Sequence, residues 1–126
     1  MITVHNKATN FLMELSNGTT TILSDVPADH GGGGEYFAPF NLLCASFAAC
    51  LEATTRIILN QRGIAYNAVS VKVDLKPEVT DQTVFVYDIT IDSDLSTAET
   101  AKLVKMAFAG CPIHKALSKE IVFEKM

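Results

Sequence analysis

Two of the three cysteines in this chain stand in contrasting settings that could support chemistry. Cys50 lies inside an apolar, alanine-rich stretch at residues 39–51, and Cys111 stands immediately before Pro112. Neither belongs to a closely spaced cysteine pair of the kind that zinc sites use. One thiol within a helix and another at the start of a second helix, far apart in sequence, indicate a redox pair that the fold would have to assemble.

Cys111 is predicted to cap the helix that Pro112 begins, because proline favours the first helical position. There the free backbone N–H groups and the positive end of the helix dipole stabilise a thiolate. His114 and Lys115 add polar or positive character nearby. These features favour a chemical role for Cys111, and the alternative is a small apolar side chain packed under a helix end.

Cys50 has no such local support, because a thiol in the middle of an apolar helix is far from the helix ends and its surroundings disfavour the thiolate. Taken alone it is better explained as a packed core thiol, and a reactive role requires a donor or cation from elsewhere in the fold. Cys44 lies six residues away, about 240° round the helix. The two therefore cannot form an ordinary disulfide within one helix, and Cys44 is interpreted as packing.

The three histidines give weaker signals. His5 falls on a predicted strand, His30 in a glycine-rich loop and His114 beside Cys111. No two of them have metal-ligand spacing, so no metal site is predicted. A cysteine hydrolase in which His114 serves Cys111 or Cys50 is a further hypothesis, without an oxyanion-hole motif to support it.

Composition limits the classes of function. A chain of 126 residues that is 48% hydrophobic predicts one compact domain over residues 1–126. A net charge of −4 and scattered lysines and arginines argue against nucleic-acid binding. No signal-peptide pattern opens the chain, and the longest nearly uncharged stretch, residues 36–51, is too short to span a bilayer. We expect a cytoplasmic protein with free or catalytic thiols and no membrane partner.

Sequence patterns predict an α+β chain rather than a parallel βαβ sheet. Pro39 and Gly63 bound a long helix, and Ser96 and Glu99 form a capping box that starts a second one. The predicted strands cover residues 2–5, 11–15, 19–23, 69–75, 83–91 and 121–123. The predicted helices run from about Pro39 to Arg62, from the Ser96 capping box to Gly110, and from Pro112 to Leu117.

Two glycine-containing segments predict turns. Asn17 and Gly18 form a strong hairpin signal between two of the strands. The four glycines at residues 31–34 follow Pro27 and predict a loop with a solvated, flexible backbone. The loop lacks the Lys-Ser/Thr of a P-loop and the spacing of a dinucleotide fingerprint, so it is not interpreted as a phosphate site.

The first half of the long helix is apolar nearly all round. Leu43, Phe47 and Leu51 share one broad face, and Leu42 and Ala48 make other faces apolar as well. Such a helix must be buried on several sides. A monomer of this size could hardly do so, and a dimer that encloses the helix is predicted.

The order of elements and four segments resemble the OsmC/Ohr family, the osmotically inducible and organic hydroperoxide resistance proteins. The resemblance covers essentially the whole chain and is closest to the OsmC-like branch. The segments are Asp25-Val-Pro with the glycine loop, Pro39-x-x-Leu-Leu-x-Ala-x-x-Ala-Ala-Cys50, Arg62-Gly63 with the Val69-Val71-Val73 strand, and Gly110-Cys-Pro-Ile-His-Lys-Ala-Leu.

This resemblance implies an intertwined homodimer in which antiparallel sheets wrap two long central helices. It implies that Cys50 attacks the O–O bond of an organic hydroperoxide and becomes a sulfenic acid, with which Cys111 condenses to a disulfide. A dithiol reductant of the lipoyl type would then restore both thiols. This peroxiredoxin-like activity would serve the oxidative stress response and use no flavin, haem or metal.

Two residues typical of the family are not found at their positions. An N-terminal arginine pairs with the peroxidatic thiolate in the family, whereas the first arginine here is Arg56. A glutamate near the start of the long helix aligns with Asn41. The alternative function is therefore a non-catalytic dimer that binds a small apolar ligand near Cys50. The predicted substrate pocket comprises Glu35, Phe40, Asn41, Phe47, Phe108 and His114.

Overall fold

A computed structural model describes residues 1–77 and 81–126. Its elements form two compact units, Met1–Leu43 and Cys44–Met126, which are joined within a helix. The chain has the predicted α+β class with antiparallel sheets, and the prediction of a single domain stays a prediction. The strands are β1 (Thr3–Asn6), β2 (Met13–Ser16), β3 (Thr21–Ser24), β4 (Ala68–Leu75) and β5 (Phe85–Asp92), and the helices are α1 (Pro39–Gln61), α2 (Thr97–Gly110) and α3 (Pro112–Leu117), with a short 3₁₀ turn at Ala28–His30.

The first unit contains a three-stranded antiparallel sheet in the order β1-β2-β3. The predicted hairpin between β2 and β3 is confirmed at Asn17 and Gly18. The Asn17 side-chain oxygen accepts hydrogen bonds from the backbone N–H groups of Thr19 and Thr20, each at 2.9 Å. Gly18 has a φ of 97°, which glycine adopts without strain.

The glycine run forms a loop, as predicted, and the structure shows why two of its residues are glycines. Asp25 is 4% exposed, and its carboxylate accepts hydrogen bonds from the N–H groups of Val26 at 2.7 Å and Gly33 at 3.1 Å. A Cβ on Gly32 would stand 1.9 Å from the Val26 carbonyl oxygen, and one on Gly33 would stand 2.8 Å from the carboxylate. The loop therefore wraps closely around a buried carboxylate.

The second unit is built on the β4–β5 hairpin, which pairs eight residues of each strand. Side chains alternate between a face that packs on the helices and an outer face, in the period of two that strands require. Burying each large aliphatic side chain in this core contributes about 2 kcal/mol. The core comprises Phe47, Leu51, Leu59, Ile89, Ile91, Leu103, Ala107 and Cys111.

Helix α1 buries one stripe and leaves much of its apolar surface uncovered. Phe47, Leu51, Thr55 and Leu59 recur every four residues and are buried, whereas Phe40 is 71% exposed. Its 23 residues are long and apolar enough to cross a membrane by length and composition alone. The expectation of no membrane span considered only residues 36–51 and stays a prediction, and the buried stripe of α1 is typical of a core helix.

One predicted element does not form. Residues 121–123 are neither strand nor helix, and Phe123 at their end is 91% exposed. A strand is stable only when a second strand satisfies its backbone hydrogen bonds. Within the described part of the chain this segment pairs with none, so its apolar pattern is not enough to make it a strand.

Candidate active site

The fold brings the thiols of Cys50 and Cys111 together. Cys50 lies in the middle of α1, and Cys111 is the single extended residue between the end of α2 and the start of α3. Their sulfur atoms are 2.9 Å apart, compared with about 2.05 Å in a disulfide bond. Cys111 is 0% exposed and Cys50 is partly buried. A shift of roughly 1 Å would therefore suffice to join the two sulfurs.

Hydrogen bonds from the start of α3 hold both sulfurs. The Ile113 N–H donates to Cys50 Sγ at 3.5 Å, and the His114 N–H donates to Cys111 Sγ at 3.4 Å. Cys111 in turn donates its S–H to Cys50 Sγ. The prediction that Cys111 caps this helix is confirmed, and Cys50 receives the donors from outside its own helix that a reactive role requires.

The predicted thiolate character of Cys111 is wrong in direction. Burial first, and then the hydrogen bond to Cys50, raise the pKa of Cys111 above its ordinary value. The N–H groups of His114 and Ile113 act in the opposite sense and do not outweigh the burial. Cys111 is therefore a neutral thiol at pH 7, and this agrees with its role as the donor in the pair.

A cluster of aromatic rings adjoins the thiols. Phe108 stacks on Tyr87 with ring centroids 4.7 Å apart and an interplanar angle of 5°. Phe47, one turn before Cys50, makes edge contacts with three rings at 5.5 to 6.5 Å. The aromatic cluster comprises Phe47, Phe85, Tyr87, Phe108 and His114, whose ring centroid lies 3.8 Å from that of Phe108.

Sequence reasoning placed Phe47, Phe108 and His114 near the thiols but missed Phe85 and Tyr87. The period-two alternation puts these two residues on the same face of β5, and that signal could have found them. It could not show which face meets α1, because that depends on how the hairpin docks.

Three other predicted pocket residues belong to the first unit, and their role stays a prediction. Asn41 accepts a hydrogen bond from the Ala38 N–H at 2.9 Å and so caps the start of α1. Glu35 and Phe40 are exposed. Among the described residues, no group of three histidines, cysteines or carboxylates could hold a metal ion.

The two arginines of the chain are engaged away from the thiols. Arg56 pairs with Glu52 across one turn of α1 at 2.7 Å. Arg62 donates to the Met106 sulfur at 3.6 Å. The support for Cys50 in this chain is therefore a backbone N–H and a neighbouring thiol.

An α+β fold with two cysteines in contact, one in a long helix and one at a helix start, defines a two-cysteine thiol protein. The family model described as OsmC-like protein matches residues 32–125, and the chain belongs to the OsmC family. No protein in the curated set matches the chain in sequence.

Solved structures share this fold. An OsmC-like protein from Mycoplasma pneumoniae is 22% identical with a TM-score of 0.77, over 93% of this chain and 85% of that one. An organic hydroperoxide resistance protein OsmC from Legionella pneumophila is 25% identical with a TM-score of 0.68, over 94% and 88%. The organic hydroperoxide resistance protein OhrB of Bacillus subtilis is 20% identical with a TM-score of 0.64, over 94% and 89%.

Proposed function

We propose that this protein is a thiol-dependent peroxidase that reduces organic hydroperoxides through Cys50 and Cys111. The observation that carries the proposal is the 2.9 Å approach of the two sulfurs, with Cys50 as the acceptor of two hydrogen bonds. Two proteins that share its fold are named organic hydroperoxide resistance proteins, which supports this substrate class.

The first step oxidises Cys50. Its sulfur, as the thiolate, attacks the outer oxygen of R–O–O–H, the O–O bond breaks and an S–O bond forms. The products are the Cys50 sulfenic acid and an alkoxide, which takes up the proton released from the thiol and leaves as the alcohol R–OH. Partial exposure of Cys50 admits the peroxide, while the buried Cys111 is shielded from it.

The second step joins the two sulfurs. Cys111 attacks the Cys50 sulfur, the S–S bond forms and the sulfenic oxygen leaves as water with the Cys111 proton. A dithiol reductant, of which a lipoyl-type dithiol is the chemical example, then reduces the disulfide by exchange and becomes a cyclic disulfide itself.

The aromatic cluster supports organic over hydrogen peroxide as substrate. Apolar side chains beside the thiols favour burial of an alkyl or aryl group by about 25 cal/mol per Å². Hydrogen peroxide has no such group. We place the substrate's organic part against the cluster.

We further propose a homodimer, located in the cytoplasm. Large apolar side chains are exposed in both units, among them Phe11, Phe37, Phe40, Ile57 and Phe123, and monomeric soluble proteins rarely leave so much apolar surface uncovered. Sedimentation analysis should give twice the chain mass at micromolar concentration. A monomer would contradict this part of the proposal.

A second candidate is a dimer that binds a small apolar ligand without catalysis. It is favoured by the engagement of both arginines elsewhere. The hydrolase hypothesis gains no support, because in the reduced protein the Cys111 S–H is directed to Cys50 Sγ rather than to an imidazole nitrogen.

One experiment separates the two candidates. The reduced protein is mixed with one equivalent of cumene hydroperoxide, and the free thiols are then blocked and mapped by mass spectrometry. We expect loss of two hydrogens and a Cys50–Cys111 disulfide, with Cys44 free. Cys44→Ser should behave like the wild type, whereas Cys50→Ser should not consume peroxide. Unreacted thiols in the wild type would favour the ligand-binding candidate.

A further inference from the structure

We propose that His114 is the base that accepts the Cys111 proton in the disulfide-forming step. The inference rests on the proposed peroxidase function and deepens it. The observation behind it is the buried Nδ1 atom of His114, which has no hydrogen-bond partner among the described residues. It belongs to the third residue of the helix that Cys111 caps.

The other two helices show where a side chain at that position reaches. Glu99 is the third residue of α2, and its carboxylate accepts from the N–H of the capping residue Ser96 at 2.9 Å. The Ser96 side chain accepts from the Glu99 N–H at 3.2 Å, as Cys111 Sγ accepts from the His114 N–H. Asn41, third in α1, likewise accepts from the N–H of the residue before its helix. A side chain at the third position thus turns back to the capping residue.

In α3 the side chain of the third residue accepts no hydrogen bond from the backbone N–H of the capping residue, and the structure shows why. The Cys111 N–H already donates to the Phe108 carbonyl oxygen at 3.4 Å, because Cys111 also terminates α2. His114 therefore has no backbone N–H to accept at the cap. The donor that remains on the capping residue is the Cys111 S–H, which in the reduced protein is directed to Cys50 Sγ.

The surroundings of His114 keep a lone pair on Nδ1. A proton on a buried nitrogen without an acceptor is costly, so the neutral ring carries its hydrogen on the other nitrogen. The ring is held against Phe108 of α2, and behind Phe108 lies Tyr87 of β5. The titratable groups on the adjoining elements include Tyr87 and Asp88 of β5, Lys105 of α2, Lys115 of α3 and the two thiols.

Oxidation of Cys50 changes what the Cys111 proton can do. Once Cys50 carries the sulfenic oxygen, Cys111 must lose its proton to attack, and its raised pKa leaves it neutral at pH 7. Nδ1 takes that proton as the S–S bond forms and the S–O bond breaks. The proton then passes to the departing hydroxide, which leaves as water. The hydroperoxide has already taken the two electrons, and no other reactant is needed.

The test separates the two chemical steps under single turnover with cumene hydroperoxide. Sulfenic acid on Cys50 is trapped with dimedone, and disulfide is measured after the remaining thiols are blocked. His114→Asn retains an acceptor near the place of Nδ1 that cannot carry a proton. His30→Asn, at an exposed histidine of the first unit, is the matched control.

We expect His114→Asn to form disulfide on the order of 10²-fold more slowly than the wild type at pH 7, as for loss of a general base. Its rate of sulfenic acid formation should fall by no more than about 10-fold, which is the cost of one aromatic contact in the cluster. Its disulfide rate should recover as alkaline pH ionises Cys111. The wild-type disulfide rate should depend less steeply on pH over the same range, because a base is already in place beside the thiol. His30→Asn should match the wild type throughout.

Failure of the proposed function and failure of the proposed role of His114 give different results. A wild-type protein that forms no sulfenic acid would overturn the proposed function. Sulfenic acid formation with equal disulfide rates in the wild type and His114→Asn would overturn only the role of His114. Should His114→Asn not fold, a wild-type disulfide rate that rises about tenfold per pH unit, as for attack by the free Cys111 thiolate alone, would overturn it as well.

Discussion

The Cys111 thiol donates its hydrogen to the Cys50 sulfur across 2.9 Å, although the two residues are 61 positions apart in sequence. The donor is the buried thiol with the raised pKa, and the acceptor is the more exposed one. The direction of this hydrogen bond matches the two roles that cysteines take in a peroxidase. The exposed sulfur reacts with the oxidant, and the buried one waits as a neutral thiol to resolve it.

Replacing Cys111 by serine should stop the reaction after its first step. Cys111→Ser leaves Cys50 able to attack the hydroperoxide, but no thiol is in reach to condense with the sulfenic acid. We expect one equivalent of alcohol per chain, accumulation of sulfenic acid and, with excess peroxide, sulfinic acid. Dimedone labelling and intact mass measure this. Cys44→Ser is the control, and sustained turnover by Cys111→Ser with a dithiol would contradict the assignment.

Alkylation rates should report the raised pKa values of Cys44 and Cys111. Burial, and then the charge of Asp74, raise the pKa of Cys44, and burial raises that of Cys111. Each thiol remains protonated as the pH rises through the ordinary pKa of a cysteine thiol, about 8.5. Alkylation of both residues should therefore start only above that pH. Iodoacetamide labelling between pH 6 and 10, read by mass spectrometry, measures both rates.

The direction of the stability change follows from the same shifts. A group with a raised pKa in the folded state binds its proton more tightly there than in the unfolded chain. Its contribution to stability is present below the unfolded pKa and is lost as pH rises through the folded one. Urea midpoints should therefore fall above about pH 8.5, and fall less in Cys44→Ser. Rapid labelling of Cys111 at pH 7 would contradict these assignments.

Much of the fold could be predicted because its signals are local. Pro39 and the Ser96–Glu99 box set the helix starts within one residue, and Asn17-Gly18 sets a hairpin. The strand predicted at residues 121–123 does not form, because a strand needs a second strand to pair with and local sequence does not identify one.

Only part of the candidate site could be predicted, because local patterns determine a helix cap but not burial or a long-range contact. The cap by Cys111 follows from Pro112, but its pKa depends on burial, which tertiary packing decides and which outweighs the helix start. The contrasting settings of Cys50 and Cys111 indicated a redox pair and the family resemblance implied their roles, but no local pattern encodes a contact over 61 positions.

Gly32→Ala should destabilise the first unit strongly. The new Cβ would stand 1.9 Å from the Val26 carbonyl oxygen and 2.8 Å from the Asp25 carboxylate, so the loop must move away from a buried charge. We expect a loss of about 2–4 kcal/mol, measured by thermal or urea unfolding. Gly110→Ala, where the new Cβ meets only Thr54 at 3.5 Å, should be neutral or stabilising by up to about 1 kcal/mol. Equal effects would refute the close approach.

Asp25→Asn tests the charge in that loop. Hydrogen bonds from Val26 first, and from Gly33, lower the pKa of Asp25 despite its burial. A lowered pKa means that stability is present above the unfolded value of about 3.9 and is lost as pH falls through the folded one. We expect the wild type to lose stability on acidification below about pH 4 and the variant to lose less. Parallel acid unfolding curves would contradict the role of the carboxylate.

The aromatic cluster should set the preference among peroxides. Tyr87→Leu keeps an apolar side chain but removes the ring that stacks on Phe108 at 4.7 Å. We expect kcat/KM for cumene hydroperoxide to fall about 5- to 10-fold, in line with the ~1 kcal/mol of an aromatic pair, while that for hydrogen peroxide changes little. Val86→Leu is the control, because the adjacent side chain of β5 is similarly exposed and points to the opposite face. An equal fall for both peroxides would assign Tyr87 to stability rather than to substrate selection.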